Sequence, residues 1–107
     1  MRRRLLPLLL CLFAASVFAA NQATLTWTYD TVTWPTVTFN VYQGPQGQPK
    51  AKVLTGVTPL TATINTGLIS GSAYCWEVTA VVGSSETGPS NEACKTFPPN
   101  PSSLTVK

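Results

Sequence analysis

The segment from residue 68 to residue 81, LISGSAYCWEVTAV, decides the fold of this chain. A turn of small and polar residues is followed by a run in which large apolar side chains alternate with other residues. An alternation of period two is the pattern of a half-buried β-strand. We therefore predict a long strand from Tyr74 to Val82. The side chains that the alternation sends to the core are Tyr74, Trp76, Val78, Ala80 and Val82.

Short strands and turns account for the rest of the chain outside its N-terminal segment. Further strands are predicted over 23–29, 36–43, 50–54, 60–65 and 90–97, with Gly, Pro, Asn and Ser between them. Short strands spaced about 8 to 12 residues apart are typical of a β-sandwich. The expected core residues of the first two strands are Leu25, Trp27, Phe39 and Val41.

The N-terminal segment 1–19 has the composition of a secretory signal peptide. Arg2, Arg3 and Arg4 precede an apolar run that ends in small residues. The run is shorter than the ~20 apolar residues of a membrane-spanning helix, and a proline interrupts it early. We expect cleavage after Ala19 or Ala20. The protein is then secreted, periplasmic or surface-exposed, without a membrane contact.

Loss of that segment changes the charge balance. The full chain has a formal net charge of +3, but its three arginines all lie in the segment, and the remaining four lysines match four acidic residues. Nucleic acids are bound through clustered basic charge. The neutral domain is therefore expected to have no nucleic-acid partner.

Two cysteines, Cys75 and Cys94, remain in the expected exported chain. A turn centred on Ser84 and Ser85 places them directly opposite each other on the last two strands. We expect a disulfide, because paired cysteines are usual in oxidising compartments. The loop of about 20 residues is worth roughly 3 kcal/mol in the chain-entropy model. A free thiol or a metal site is the weaker alternative, since two cysteines without any histidine are a poor ligand set.

The sequence resembles a fibronectin type III domain over most of residues 20–97. In that family a tryptophan ends the second strand after alternating apolar residues, as Trp27 does here. The family signature of a leucine, a glycine-containing turn and a strand-opening tyrosine is matched by Leu68, Gly71 and Tyr74. The resemblance implies an all-β, immunoglobulin-like sandwich of six to seven antiparallel strands. It also implies that Tyr74 forms a tyrosine corner.

The first strand of the family has no counterpart ahead of the tryptophan strand. Such domains open with a proline, a few polar residues, and then leucine and valine in alternation. This pattern is found in the Pro/Ser-rich segment 98–107, where prolines precede Leu104, Thr105 and Val106. The resemblance therefore implies a donor strand displaced to the C-terminal segment.

Geometry favours a neighbouring molecule as the acceptor of that strand. In this fold the first strand starts at one pole and the last strand ends at the other. A return to the starting pole spans about 25 Å, the height of an eight-residue strand. The Cα steps from Phe97 to Leu104 reach at most about 25 Å, which leaves nothing for crossing between sheets. The leading hypothesis is an exported structural or interaction protein, a surface or filament subunit that associates with its own copies or with another surface protein.

A second interpretation is a small secreted or virion-surface binding module with a flexible tail. Trp34, in the connection between the first two strands, is its candidate contact for adhesion or carbohydrate recognition, because an exposed indole stacks on sugars and partner surfaces. Alternatively, that indole caps the core under its own loop. A linker followed by a first strand is also how one piece of a longer tandem array would end.

An enzyme is the weakest class, and no cofactor is expected. The chain has no histidine and only four acidic residues. It shows no glycine-rich phosphate loop and no metal-ligand spacing. No pair of carboxylates is placed together by the predicted strands, so catalytic chemistry has no candidate residues.

Overall fold

The computed structural model describes residues 21–107, which form seven β-strands and no helix. The predicted signal peptide, residues 1–19, lies outside the described residues. Within 21–107 no helix has the length and apolarity to span a membrane. The strands are β1 Ala23–Thr26, β2 Thr38–Pro45, β3 Ala51–Val57, β4 Thr61–Ile64, β5 Ala73–Val82, β6 Ser85–Glu86 and β7 Ala93–Thr96.

The strands form two antiparallel sheets. β1 pairs with β4 in the smaller sheet, and the larger sheet has the order β3, β2, β5, β6, with β7 also pairing with β5. Alternation along β1, β2 and β5 directs one set of side chains between the two sheets. The predicted all-β sandwich is confirmed.

The core lies between the sheets and combines aliphatic with aromatic side chains. Phe39 and Val41 of β2 are almost fully buried, as is Trp76 of β5. The ring of Phe39 meets Trp27 and Tyr29 edge to face, with centroids 5.3 and 5.4 Å away. Leu68, Tyr74 and Ala80 are also buried, and Leu25, Trp27 and Val78 are partly buried against them.

Tyr74 makes the hydrogen bond of a tyrosine corner. Its hydroxyl accepts the backbone N–H of Ile69 at 3.0 Å, which is the geometry described for this corner. The neighbouring Gly71 N–H donates to the carbonyl of Phe97 at 2.9 Å. These bonds tie the loop before β5 to the end of β7.

The bounds of every predicted strand differ by one to three residues at one or both ends, with the larger differences in β1, β3 and β7. β1 ends at Thr26 rather than Tyr29, although Trp27 N–H still donates to the carbonyl of Leu60 at 3.0 Å. β3 continues to Val57, beyond the predicted 50–54, and a bulge shifts its register so that Val57 still pairs with Phe39 of β2. Gly56 forms the bulge with a φ of 69°, and its N–H donates to Asn40 Oδ1.

The predicted centre of the last hairpin is wrong by one residue. Gly83 and Ser84 form the turn, and Val82 pairs with Ser85. The reason is that a two-residue hairpin turn favours positive φ, which Gly83 adopts at 62°. The segment between β6 and β7 takes up the difference, so that Cys75 still pairs with Cys94.

Candidate binding groove along the first strand

The two ends of the sandwich are defined by the register of β1. Ala23 pairs with Ile64 at one end of β1, and Thr26 pairs with Thr61 at the other. The first end, the lower pole, carries the loop 65–72 and the chain after β7. The second end, the upper pole, carries the loops 30–36 and 58–60. β1 therefore runs from the lower pole to the upper pole.

β1 has an edge without a strand partner among residues 21–107, where it pairs only with β4. Because Trp27 N–H donates to the carbonyl of Leu60, directly before β4, the main-chain N–H and C=O groups of Leu25, two residues earlier, also point toward β4. The N–H and C=O groups of Thr24, Thr26 and Thr28 consequently point to the opposite edge. This edge presents the donors and acceptors with which a further strand would pair.

An open groove follows that edge. One wall is β1 and its continuation to Tyr29, and the other is the chain from Thr87 to Ala93. Its lower part is a cavity of about 530 Å³, and an adjoining part toward the upper pole has about 180 Å³. Both parts are bordered by Trp27, Thr28, Val78 and Ser90, so they form one groove. We call it the edge groove.

The floor of the edge groove is apolar and partly aromatic. Leu25 of β1 and Trp27 just after its end face Trp76 and Val78 of β5 across it. The indole N–H of Trp76 donates to Gln43 Oε1 at 2.8 Å, whereas the buried Trp27 Nε1 has no hydrogen-bond partner within residues 21–107. Such a floor accepts aliphatic side chains from an added strand.

A lysine closes the lower end of the edge groove. Lys95 Nζ donates to the carbonyl of Gln22 at 3.1 Å, and it lies 5.2 Å from the ring centroid of Phe97. A charged lysine at an open edge is a common guard against uncontrolled strand pairing. Toward the upper pole the groove continues to Tyr29 and Thr87, and within residues 21–107 no hydrogen bond joins its two walls there. We call this the open end.

The C-terminal segment 98–107 leaves the domain at the lower pole. Leu104 and Val106 are each 96% exposed, and Thr105 between them is exposed as well. The segment forms no strand. The side chains predicted for the donor strand thus lie free of the core of their own domain.

The predicted disulfide between Cys75 and Cys94 is confirmed. It joins the fully buried Cys75 of β5 to the exposed β7, which forms part of the wall of the edge groove. Glu92 lies close to both sulfur atoms, but the bond between the sulfurs removes them as metal ligands. A structural disulfide of this kind indicates an oxidising environment.

Glu86 anchors the last hairpin to the outer face of the larger sheet. Its Oε2 accepts hydrogen bonds from Thr79 Oγ1 and Tyr42 OH, both at 2.6 Å, and from Asn40 Nδ2 at 3.1 Å. These donors, with the Thr79 hydroxyl first, lower the pKa of Glu86 from 4.5 to about 2. The sequence offered no signal for this cluster, because its members lie on three different strands.

Acid is expected to remove the stabilisation that Glu86 provides. The pKa of Glu86 is depressed in the folded state, so its contribution is complete above pH 4.5 and is lost as the pH falls toward 2. Glu86→Gln should lower the thermal midpoint at pH 7 and make little difference near pH 2. Thermal melts of both proteins across this pH range measure the difference between their thermal midpoints. A difference in thermal midpoint that does not become smaller in acid would contradict the stabilising role assigned to the Glu86 carboxylate.

Trp34 lies in the upper-pole loop and is 47% exposed. Its backbone N–H donates to the carbonyl of Asp30 at 3.2 Å, and its own carbonyl accepts from Val37. The indole is absent from both core clusters found in residues 21–107. The structure thus places this predicted contact residue at the surface, at a distance along the chain from the disulfide and the donor residues.

Comparison with solved structures finds chains that are similar to this one. The structure is similar to the crystal structure of a Fn3-like protein from Clostridium thermocellum, with 30% sequence identity and a TM-score of 0.60. The matched region covers 78% of this chain and 83% of that one. No family model and no curated protein matches the chain.

Proposed function

Because the chain belongs to the fibronectin type III family, we propose that it is an exported, non-enzymatic structural protein that assembles by donating its C-terminal strand to a second copy. The fold is that of an interaction module, and the disulfide fits an oxidising compartment. One observation carries the finer proposal. The edge groove combines unpaired main-chain groups on Thr24 and Thr26 with an apolar floor.

The direction of the donated strand follows from the poles. β1 runs upward, so an antiparallel partner enters the groove at the upper pole and runs down toward Lys95. The tail of the same molecule starts at the lower pole beside Phe97, and running up the groove it would be parallel to β1. The tail of a copy stacked above arrives from the open end, in the antiparallel direction.

The spacing of the donor side chains matches the floor. Leu104 and Val106 lie on one side of an extended chain and are separated by roughly 7 Å, the same interval as that between Leu25 and Trp27. Thr105 then joins the exposed threonines of β1 on the outer surface. Burying each of the two aliphatic side chains contributes about 1.5–3 kcal/mol, and main-chain pairing adds further affinity.

The resulting contact is heterologous, since the tail of one molecule meets the groove of the next. Heterologous contacts repeat into rings or open filaments. Once the leader 1–19 has been removed, the edge of β1 is exposed. A donated strand would pair with the free main-chain N–H and C=O groups of this edge. We therefore assign the protein to the class of surface or filament subunits.

The test compares the oxidised chain from Ala20 with the same chain lacking Ser102–Lys107. The proposal expects ordered oligomers or filaments from the longer chain, and a folded monomer from the shorter one. Light scattering measures the mass distribution, and negative-stain microscopy shows the particles. Monomers from both chains, or equal assembly of both, would contradict strand donation.

The exposure of Trp34 favours a second candidate function, a binding module for a sugar or a partner surface. A module of this kind keeps its ligand when Ser102–Lys107 is removed, and it loses the ligand with Trp34→Ala. Retention of both chains on insoluble polysaccharides separates the two functions. Retention that depends on Trp34 but not on the tail would favour the module.

A further inference from the structure

We infer that Ile69 of one copy seats in a hollow at the upper pole of the next copy, as a second contact beside the donated strand. This inference rests on the proposed stacking of copies and names the surfaces that it brings together. Outside the tail, the large hydrophobic residues exposed within 21–107 lie mainly at the two poles. They are Val32 and Trp34 at the upper pole, Ile69 at the lower pole, and Val53 on β3.

Ile69 is a fixed apolar projection. Its side chain is 67% exposed at the tip of the lower-pole loop. Its backbone is held on both sides, because its N–H donates to Tyr74 OH at 3.0 Å and its carbonyl accepts from Ser72 N–H at 3.2 Å. A side chain carried on a fixed backbone loses less conformational freedom on docking than one on a mobile loop.

The upper pole offers a complementary hollow of about 410 Å³. It is bordered by the start of β2 and by the connection between β3 and β4. Its lining is uncharged and combines apolar groups with threonine side chains. We call it the upper hollow, and the apolar residues that line it are Pro35, Val37, Pro59 and Leu60.

The linker brings these two surfaces together. The tail leaves the domain beside Ile69, because Gly71 N–H also lies 3.2 Å from the carbonyl of Pro98. From Phe97 to Leu104 the chain spans at most about 25 Å, and its prolines stiffen it. A copy whose Leu104 lies near Trp27 of its neighbour has its lower pole within about 25 Å of that residue, close enough for the lower pole to meet the neighbour's upper pole. The occupant of the upper hollow is a second copy of this chain.

The test uses Ile69→Asp and the matched control Val53→Asp, which adds the same charge to an exposed valine away from both poles. Sedimentation of the full chains measures assembly. Fluorescence anisotropy measures binding of a labelled peptide of residues 98–107 to chains that lack Ser102–Lys107. We expect Ile69→Asp to weaken assembly by at least about tenfold, with peptide binding unchanged and the control close to wild type.

Charge pairing provides an independent check. Thr58 is exposed and borders the upper hollow. Thr58→Lys alone should therefore weaken assembly. Combined with Ile69→Asp in the same chain, it should restore part of the assembly, because the lysine of one copy would pair with the aspartate of the next. Equal assembly of Ile69→Asp and Val53→Asp would overturn the pole contact. Failure of the peptide to bind would instead overturn strand donation. A wild-type chain that stays monomeric would overturn both.

Discussion

Replacing Leu104 and Val106 together with aspartate is expected to abolish assembly and to leave the domain folded. Both side chains are exposed in the isolated chain, so the unfolding free energy should change little. In the proposed assembly they would lie on the apolar floor formed by Leu25 and Trp27. Losing about 1.5–3 kcal/mol for each side chain, plus the cost of burying charge, corresponds to a loss of affinity on the order of a hundredfold or more.

Thr105→Asp is the matched control for that double variant. The residue lies between the two donors, but in an extended strand its side chain points to the outer surface. Light scattering should show assembly of this single variant close to wild type. If Thr105→Asp reduces assembly as much as the double variant does, the predicted alternation of side chains in the donor strand is wrong. If the double variant assembles normally, the segment is a tail and not a donor strand.

Breaking the disulfide is expected to cost about 3 kcal/mol of unfolding free energy, the chain-entropy value for a loop of this length. For a domain of this size that corresponds to a fall in the thermal midpoint of roughly 10–20 °C. The effect should also reach the edge groove, because the bond ties β7, part of its wall, to the buried Cys75. Binding of the 98–107 peptide should therefore weaken along with stability.

Calorimetry of the oxidised and reduced protein measures this effect without an amino-acid substitution. The double variant Cys75→Ala, Cys94→Ala provides a second measurement of the same effect, although it also removes a buried sulfur atom. A midpoint that moves by less than about 3 °C on reduction would contradict the stabilising role. Full peptide affinity in the reduced protein would show that the groove wall does not depend on the bond.

The alternation of large side chains explains why much of the fold was predictable. Trp27, Phe39 and Tyr74 each belong to a run in which large side chains alternate with other residues, and the two cysteines fix the register of the last strand pair. The hairpin centre was missed by one residue because the chain between Thr87 and Glu92 departs from regular pairing, which propensity does not foresee. The bulge at Gly56 was not predicted either, because it depends on a hydrogen bond to Asn40 on the neighbouring strand.

The candidate site was predictable only in outline. The family resemblance predicts an open edge on β1, which is found within residues 21–107, and it predicts a donor strand at Leu104–Val106, which stays a proposal. The walls and floor of the groove depend on how the two sheets face each other, so they emerge from the structure. Local sequence patterns likewise do not predict the upper hollow or the three hydrogen-bond donors to Glu86. In both cases the residues that come together are distant in sequence.

Amide hydrogen exchange of the assembled chain, followed by NMR after dissociation, tests strand donation most directly. Thr24 and Thr26 should exchange at least about tenfold more slowly in the full chain than in the chain lacking Ser102–Lys107, because the donated strand pairs with them. The amide of Trp27, already bonded to Leu60 at 3.0 Å, is the internal reference and should behave alike in both. Equal exchange of Thr24 and Thr26 in the two chains would contradict the proposal.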